Sequence, residues 1–135
     1  METQSPVQLI ANLERPIWFS VIRFMEQDIT FIKQLLTAPI YKQNVPNVFE
    51  RLTKYLTQTD ELGKKVSTFI KEVAVFKKSL ENYPEEGNPS IDEYYYGRHK
   101  HFKDEYIKLD GEFLQLKSKI FCYISTTLLS PTSKN

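Results

Sequence analysis

A single cysteine, Cys122, excludes an intramolecular disulfide framework and an all-cysteine zinc site. Two histidines, His99 and His101, are too few for a histidine-rich haem or oxygen-carrying bundle, and the paired Glu-x-x-His helices of a di-iron carboxylate bundle are absent. Four glycines in 135 residues form no phosphate-cradling loop, and there is no nucleophile elbow or zinc-protease helix motif. Charge of one sign is also lacking. Eighteen Lys+Arg stand against seventeen Asp+Glu, a net charge of +1, which disfavours a strongly basic nucleic-acid binder or an acidic tail. No apolar run approaches the ~18–20 residues of a membrane-spanning helix. The polar start Met1-Glu2-Thr3-Gln4 is not followed by the apolar core of a signal peptide. The composition therefore predicts a soluble, cytoplasmic protein of one domain over 1–135, with residues 1–5 and 130–135 as frayed tails. It offers no catalytic residue, no metal site and no cofactor.

What is present is helical periodicity. From 47 to 81, Val48, Leu52, Tyr55, Thr59, Leu62, Val66, Phe69, Val73, Phe76 and Leu80 alternate steps of four and three without a fault. That is a heptad stripe on a helix of roughly 50 Å. Asn47 with Glu50 reads as a capping box at its start. The pattern recurs from 90 to 129 through Ile91, Tyr95, Arg98, Phe102, Tyr106, Leu109, Phe113, Leu116, Ile120, Tyr123 and Thr127, with Ser90 and Glu93 as a second capping box. The two consecutive steps of four around Arg98 and Phe102 read as a stutter. The first third predicts a short helix after Ser5-Pro6, a break or kink at Pro16, and a longer helix over 17–38. On that helix Trp18, Ile22, Met25, Ile29, Ile32 and Leu36 form one stripe, and Ile17, Val21, Phe24, Phe31 and Leu35 an adjacent one. No strand alternation occurs. The fold class is all-α: an elongated, antiparallel, up-down-up bundle of three long helices, preceded by a short one.

Folding these helices about the proline-rich breaks at 39–46 and 82–89 sets an expected register. Gly63 and Gly111 come to nearly the same height, Val21 and Ile22 lie beside Gly63, and Trp18 lies near Val66 and Phe69. A ligand-binding bundle would hold its pocket at the glycine level, lined by Trp18 and Met25, whereas a filled core there would favour an interaction module. Asp28 falls near Tyr55 and Thr59, which suggests a polar layer that fixes register or a small buried polar site.

The most distinctive stretch runs from Tyr94 to Lys103. Tyr94, Tyr96, Arg98, Lys100, His101 and Lys103 interleave rings with cations, as an interface hot spot or a base-stacking surface would. On a helix the simpler account is a solvated face, with Tyr95 and Phe102 inward and the charge diluted by Glu93, Asp104 and Glu105. Arg98 is expected to pack its stem and send its guanidinium toward Glu72. Residues two apart on a helix point ~200° apart, so His99 and His101 cannot share one metal ion. His101 with Glu105 could supply only two ligands. Neither histidine carries the lysine and glycine one turn downstream that a phosphotransfer histidine usually has. Cys122 lies roughly 34 Å along the same helix from His99, too far for a Cys–His dyad, and reads as a buried inert thiol.

These features point to a non-catalytic protein-interaction module: an adaptor, an assembly subunit, or a small accessory or immunity-type binder. The alternative is a bundle that holds a small apolar or amphipathic ligand between its helices. Nucleic-acid binding through the tyrosine-rich basic segment ranks below both. Surplus apolar residues support association along the bundle. Phe49, Leu56 and Ile70 flank one stripe, Leu114, Phe121 and Ile124 widen another, and Phe24 and Phe31 widen the first. A protein partner is expected, a symmetric homodimer being the commonest form. The competing expectation is that the short first helix folds back through Val7, Ile10 and Leu13 and covers the surplus.

Overall fold

In the computed structural model, which describes residues 6–80 and 89–129, the heptad periodicity is realised as three helices. They are α1 (Pro6–Thr37), α2 (Val48–Leu80) and α3 (Pro89–Thr127). Side chains at 6–8, 11, 80 and 89–92 are not among those described, so the Ser90–Glu93 capping box, Val7, Leu80 and Ile91 lie outside them, as do both expected tails.

The separate short N-terminal helix is not formed. α1 is one helix with Pro16 inside it. Proline removes a single amide donor, here the one that would have reached the Asn12 carbonyl. The core spacing runs across the proline without interruption. Arg15, Trp18, Ile22, Met25, Ile29, Ile32 and Leu36, in alternating steps of three and four, are all buried. Burial on both sides of Pro16 holds the helix together against the cost of the missing bond. The back-folded cover is thereby ruled out, since Ile10 and Leu13 stand exposed on the same rod as Phe24 and Phe31.

Side-chain pairs define the topology. Trp18 and Phe69 (ring centroids 6.5 Å apart) and the Lys33–Asp60 ion pair run α1 against α2. Tyr55 with Tyr123 (5.8 Å) and Phe76 with Tyr95 (6.1 Å) run α2 against α3. Glu14 with Lys103 (3.0 Å) and Asp28 with Lys117 (2.8 Å) place α1 and α3 parallel. The result is an up-down-up bundle whose core is three facing stripes. No regular strand exists among the described residues. One isolated antiparallel bridge joins Tyr41 and Leu128, where the Lys42 amide donates to the Thr127 carbonyl (2.8 Å) and the Leu129 amide to the Ile40 carbonyl (2.9 Å). This bridge ties the α1–α2 connection to the end of α3. The Tyr41 hydroxyl donates to the Leu35 carbonyl (2.5 Å) and so satisfies a carbonyl in the last turn of α1.

Asn47 does not act as the cap of a capping box. Its φ is 58°, in the left-handed region that Asn tolerates better than most residues, whereas an N-cap needs extended backbone. The Arg51 amide donates to the Asn47 carbonyl (3.0 Å), the first bond of α2. The stutter expected at Arg98 and Phe102 is not found there among the described residues. His99, not Arg98, faces the core, and the stripe then reads Tyr95, His99, Phe102, Tyr106, Leu109, Phe113, with strict steps of four and three. Arg98 lies exposed, its guanidinium 4.9 Å from the centre of the Phe102 ring one turn on, and does not reach toward Glu72.

The glycines do not face each other. A methyl group added at Gly63 would meet Ile29 Cγ2 at 3.7 Å, and one added at Gly111 would meet nothing within 4 Å. Ile29, rather than Val21 or Ile22, therefore packs beside Gly63, and Gly111 faces solvent. Trp18 and Met25 are buried among the bulky side chains of the core.

Candidate interaction face

Two ion pairs bridge α1 to α3. At the first, Glu14 accepts from Lys103 (Oε2 to Nζ, 3.0 Å) and lies against His99 (Oε1 to Nε2, 3.2 Å). Burial pushes the Glu14 carboxyl up, but hydrogen bonds and charge from Lys103 and His99 outweigh it and hold the group below the usual carboxylate range. His99 is 3% exposed, stacks on Trp18 (centroids 4.9 Å apart, planes at 24°), and leaves Nδ1 without a partner. Trp18 stacks on its other neighbour Tyr106 as well (5.9 Å, 21°). Burial and, next, the charge of Asp110 raise the Tyr106 phenol above its ordinary value, so the ring stays neutral. Arg15 beside this stack is buried. One guanidinium nitrogen donates to Asn12 Oδ1 (2.7 Å), the other has no partner, and burial lowers the group below its ordinary value.

At the second pair, Lys117 donates to Asp28 (2.8 Å) and sits over the rings of Phe113 and Phe121 at 5.6 and 5.9 Å. Asp28 thus turns to α3. The expected polar layer with Tyr55 and Thr59 is not formed, because Thr59 is buried with its hydroxyl donated to the Tyr55 carbonyl of its own helix (2.7 Å). A carboxylate at the edge of a bundle gains more from a nearby ammonium than from a hydroxyl already used by its own backbone.

Both ion pairs are rimmed by apolar rows. Side chains three or four residues apart share a helix face. Ile10 and Ile17 therefore flank Glu14, and Phe24 and Phe31 flank Asp28. These four recur at every seventh residue and are 41%, 60%, 67% and 52% exposed. On α3, Ile107, Leu114 and Phe121 follow the same step of seven around Lys103 and Lys117; the first two are exposed and Phe121 is half-buried. α1 and α3 thus present two parallel rows with neutralised charges between them. Of the other residues expected to widen the apolar surface, Phe49 is exposed, Leu56 and Ile70 are half-buried, and Ile124 is buried.

The Tyr94–Lys103 segment is on the surface. Tyr94, Tyr96, Arg98, Lys100, His101 and Lys103 are all exposed, while Lys103 is engaged by Glu14 and Tyr95 donates to the Ser79 carbonyl (3.3 Å). His99 and His101 point apart, one into the core and one to solvent. Among the described residues no three His, Cys, Asp or Glu side chains gather as a metal site would require. Cys122 is exposed, not buried, because it falls between the core positions Ile120 and Ile124 on the outer side of α3. Among the described residues no helix is long and apolar enough to cross a membrane.

The sequence signal for this face was available in the second apolar row of α1. What hid it was the break assumed at Pro16, which divided Ile10 from Ile17. Glu14, Lys117 and the inward turn of His99 carry no signal of their own beyond heptad spacing. A groove of about 920 Å³ opens elsewhere, between the start of α2 and the bridge that ties 38–47 to α3. Set against known protein families, characterised proteins and solved structures, the chain matches none.

Proposed function

We propose that the protein is a non-catalytic interaction module whose α1–α3 face pairs lengthwise with a second copy of the chain. The observation that carries this reading is the exposed row Ile10, Ile17, Phe24 and Phe31, set at the seven-residue step of a coiled-coil seam and matched by Ile107 and Leu114 on the parallel helix. Monomers seldom leave a contiguous apolar strip of this length in water. The carboxylates of Glu14 and Asp28 are already paired with Lys103 and Lys117 of the same chain, so two copies of the face meet without like-charge repulsion. A twofold pairing is the commonest way to close such a surface. In the tyrosine-rich basic segment Tyr96 falls one heptad before Lys103, beside the α3 row, so an aromatic end to the interface fits the same reading.

Sedimentation equilibrium tests it. The wild-type chain should sediment at twice its 15.9 kDa mass at micromolar concentration. The double variant Phe24→Glu, Phe31→Glu, altered only at exposed positions, should remain helical and sediment as a monomer. A wild-type chain that stays at 15.9 kDa throughout overturns pairing with a second copy.

A further inference from the structure

The groove at the connection end of the bundle lies away from the α1–α3 face and is independent of the pairing proposed above. Its walls are hydrocarbon: Leu36 from α1, Leu52 and Leu56 from α2, Leu129 after α3, and Phe49, which is 80% exposed at the mouth. Two threonines also line it, but their hydroxyls are already donated within their own helices, Thr37 to the Lys33 carbonyl (3.0 Å) and Thr53 to the Phe49 carbonyl (2.9 Å). The Tyr41 hydroxyl, which also lines it, is donated to the Leu35 carbonyl, so among the described residues the side-chain polar groups left to meet a ligand are Lys42 and Gln43, both in the connection and adjacent in sequence. Among the described residues no carboxylate lines the groove. The Lys42 backbone is held by the hydrogen bond its amide donates to the Thr127 carbonyl, which fixes the root of the cation at the rim.

We propose that this groove binds a free single-chain carboxylate amphiphile, with the alkyl chain along Leu36, Leu52, Leu56 and Phe49 and the carboxylate at Lys42. A volume of about 920 Å³ is in the range that small-ligand sites occupy. One cation at one end of an otherwise apolar cleft is the complement of a molecule with one negative end and a hydrocarbon body. A neutral lipid leaves Lys42 unused. A cationic one is repelled by it.

Isothermal titration calorimetry of the full chain with decanoate, decanol and decyltrimethylammonium tests the assignment. Decanoate should bind saturably, one per chain, and more tightly than either analogue. Lys42→Glu should weaken decanoate roughly tenfold, as loss of a charge-assisted contact does, and leave decanol within about twofold. Phe49→Ser, a surface change that leaves the helix intact, should weaken decanoate and decanol alike by about fivefold. No saturable decanoate binding up to about 1 mM, the weakest affinity a useful site would show, overturns the proposal. So does decanoate binding unchanged by Phe49→Ser, or a cationic amphiphile bound as tightly as the carboxylate. Because no groove residue lies on the α1–α3 rows, sedimentation of the Phe49 and Lys42 variants should match wild type, so failure here leaves the pairing reading untouched.

Discussion

Glu14, Arg15 and His99 show how much polar chemistry the α1–α3 contact has drawn inside. The lowered pKa of Glu14 is a statement about stability. A carboxylate depressed on folding contributes stability in full above its unfolded value, near 4.5, and loses it as pH falls through the folded value. The stability advantage of wild type over Glu14→Gln should therefore be present in full at neutral pH and shrink in urea melts as pH falls below about 4.5, as the linkage requires. Partial exposure and salt screening keep this advantage under ~1 kcal/mol. Arg15 presents the opposite case. Its buried guanidinium has a neutral amide for a partner and one unpaired nitrogen, and an unsatisfied buried donor costs about 1–3 kcal/mol. Arg15→Met keeps the apolar stem and removes the orphan, so thermal melts should show a higher Tm, by roughly 3–6 °C for a gain of about 1 kcal/mol. A lower Tm would mean that the charge is satisfied in solution.

At the level of the helix, the propensity penalties are placed where packing tolerates them. Pro16 sits between two buried core residues, and a proline in a helix interior costs ~3 kcal/mol relative to alanine, offset in part by the stiffer unfolded chain. Pro16→Ala should stabilise the protein by about 1–2 kcal/mol, read by urea denaturation. Gly63 and Gly111 can each take a methyl group, since Ile29 lies at an ordinary contact distance of 3.7 Å from the first and nothing approaches the second. Gly63→Ala and Gly111→Ala should each raise stability by up to about 1 kcal/mol. A destabilised Gly111→Ala would show that this face is covered in solution by something other than water.

For the whole molecule, the open question of surplus apolar surface becomes a question of mass action. If two chains pair along α1 and α3, unfolding is coupled to dissociation and Tm rises with protein concentration. A hundredfold increase in chain concentration should raise Tm for wild type and leave it fixed for the Phe24→Glu, Phe31→Glu variant. A Tm independent of concentration in both would argue for a monomer. The connection-end groove makes no such demand, because its ligand is small and its walls belong to one chain.

Much of this architecture is legible in the heptad steps. Leu52 to Phe76 on α2 and Trp18 to Leu36 on α1 are buried as their spacing requires, because a rod with 3.6 residues per turn can turn only one such stripe inward. The helices, their antiparallel order and the absence of catalytic motifs follow from residue type and spacing alone. Heptad spacing leaves undecided which of two adjacent residues enters the core when both are polar. His99 entered rather than Arg98 because a flat ring can stack on Trp18, while a guanidinium is better left in water over Phe102. Nor does spacing say whether a proline will break a helix whose stripe continues past it, as at Pro16. The partner of Asp28 likewise depended on the rotation of α1 about its own axis, which is set by all three packed stripes at once. The Tyr41–Leu128 bridge, and the groove it helps to shape, join residues far apart in the chain and exist only once the ends of two helices meet. Periodicity determines what each helix buries; which polar groups meet, and where a cleft remains, is decided only by the docking of one helix on another.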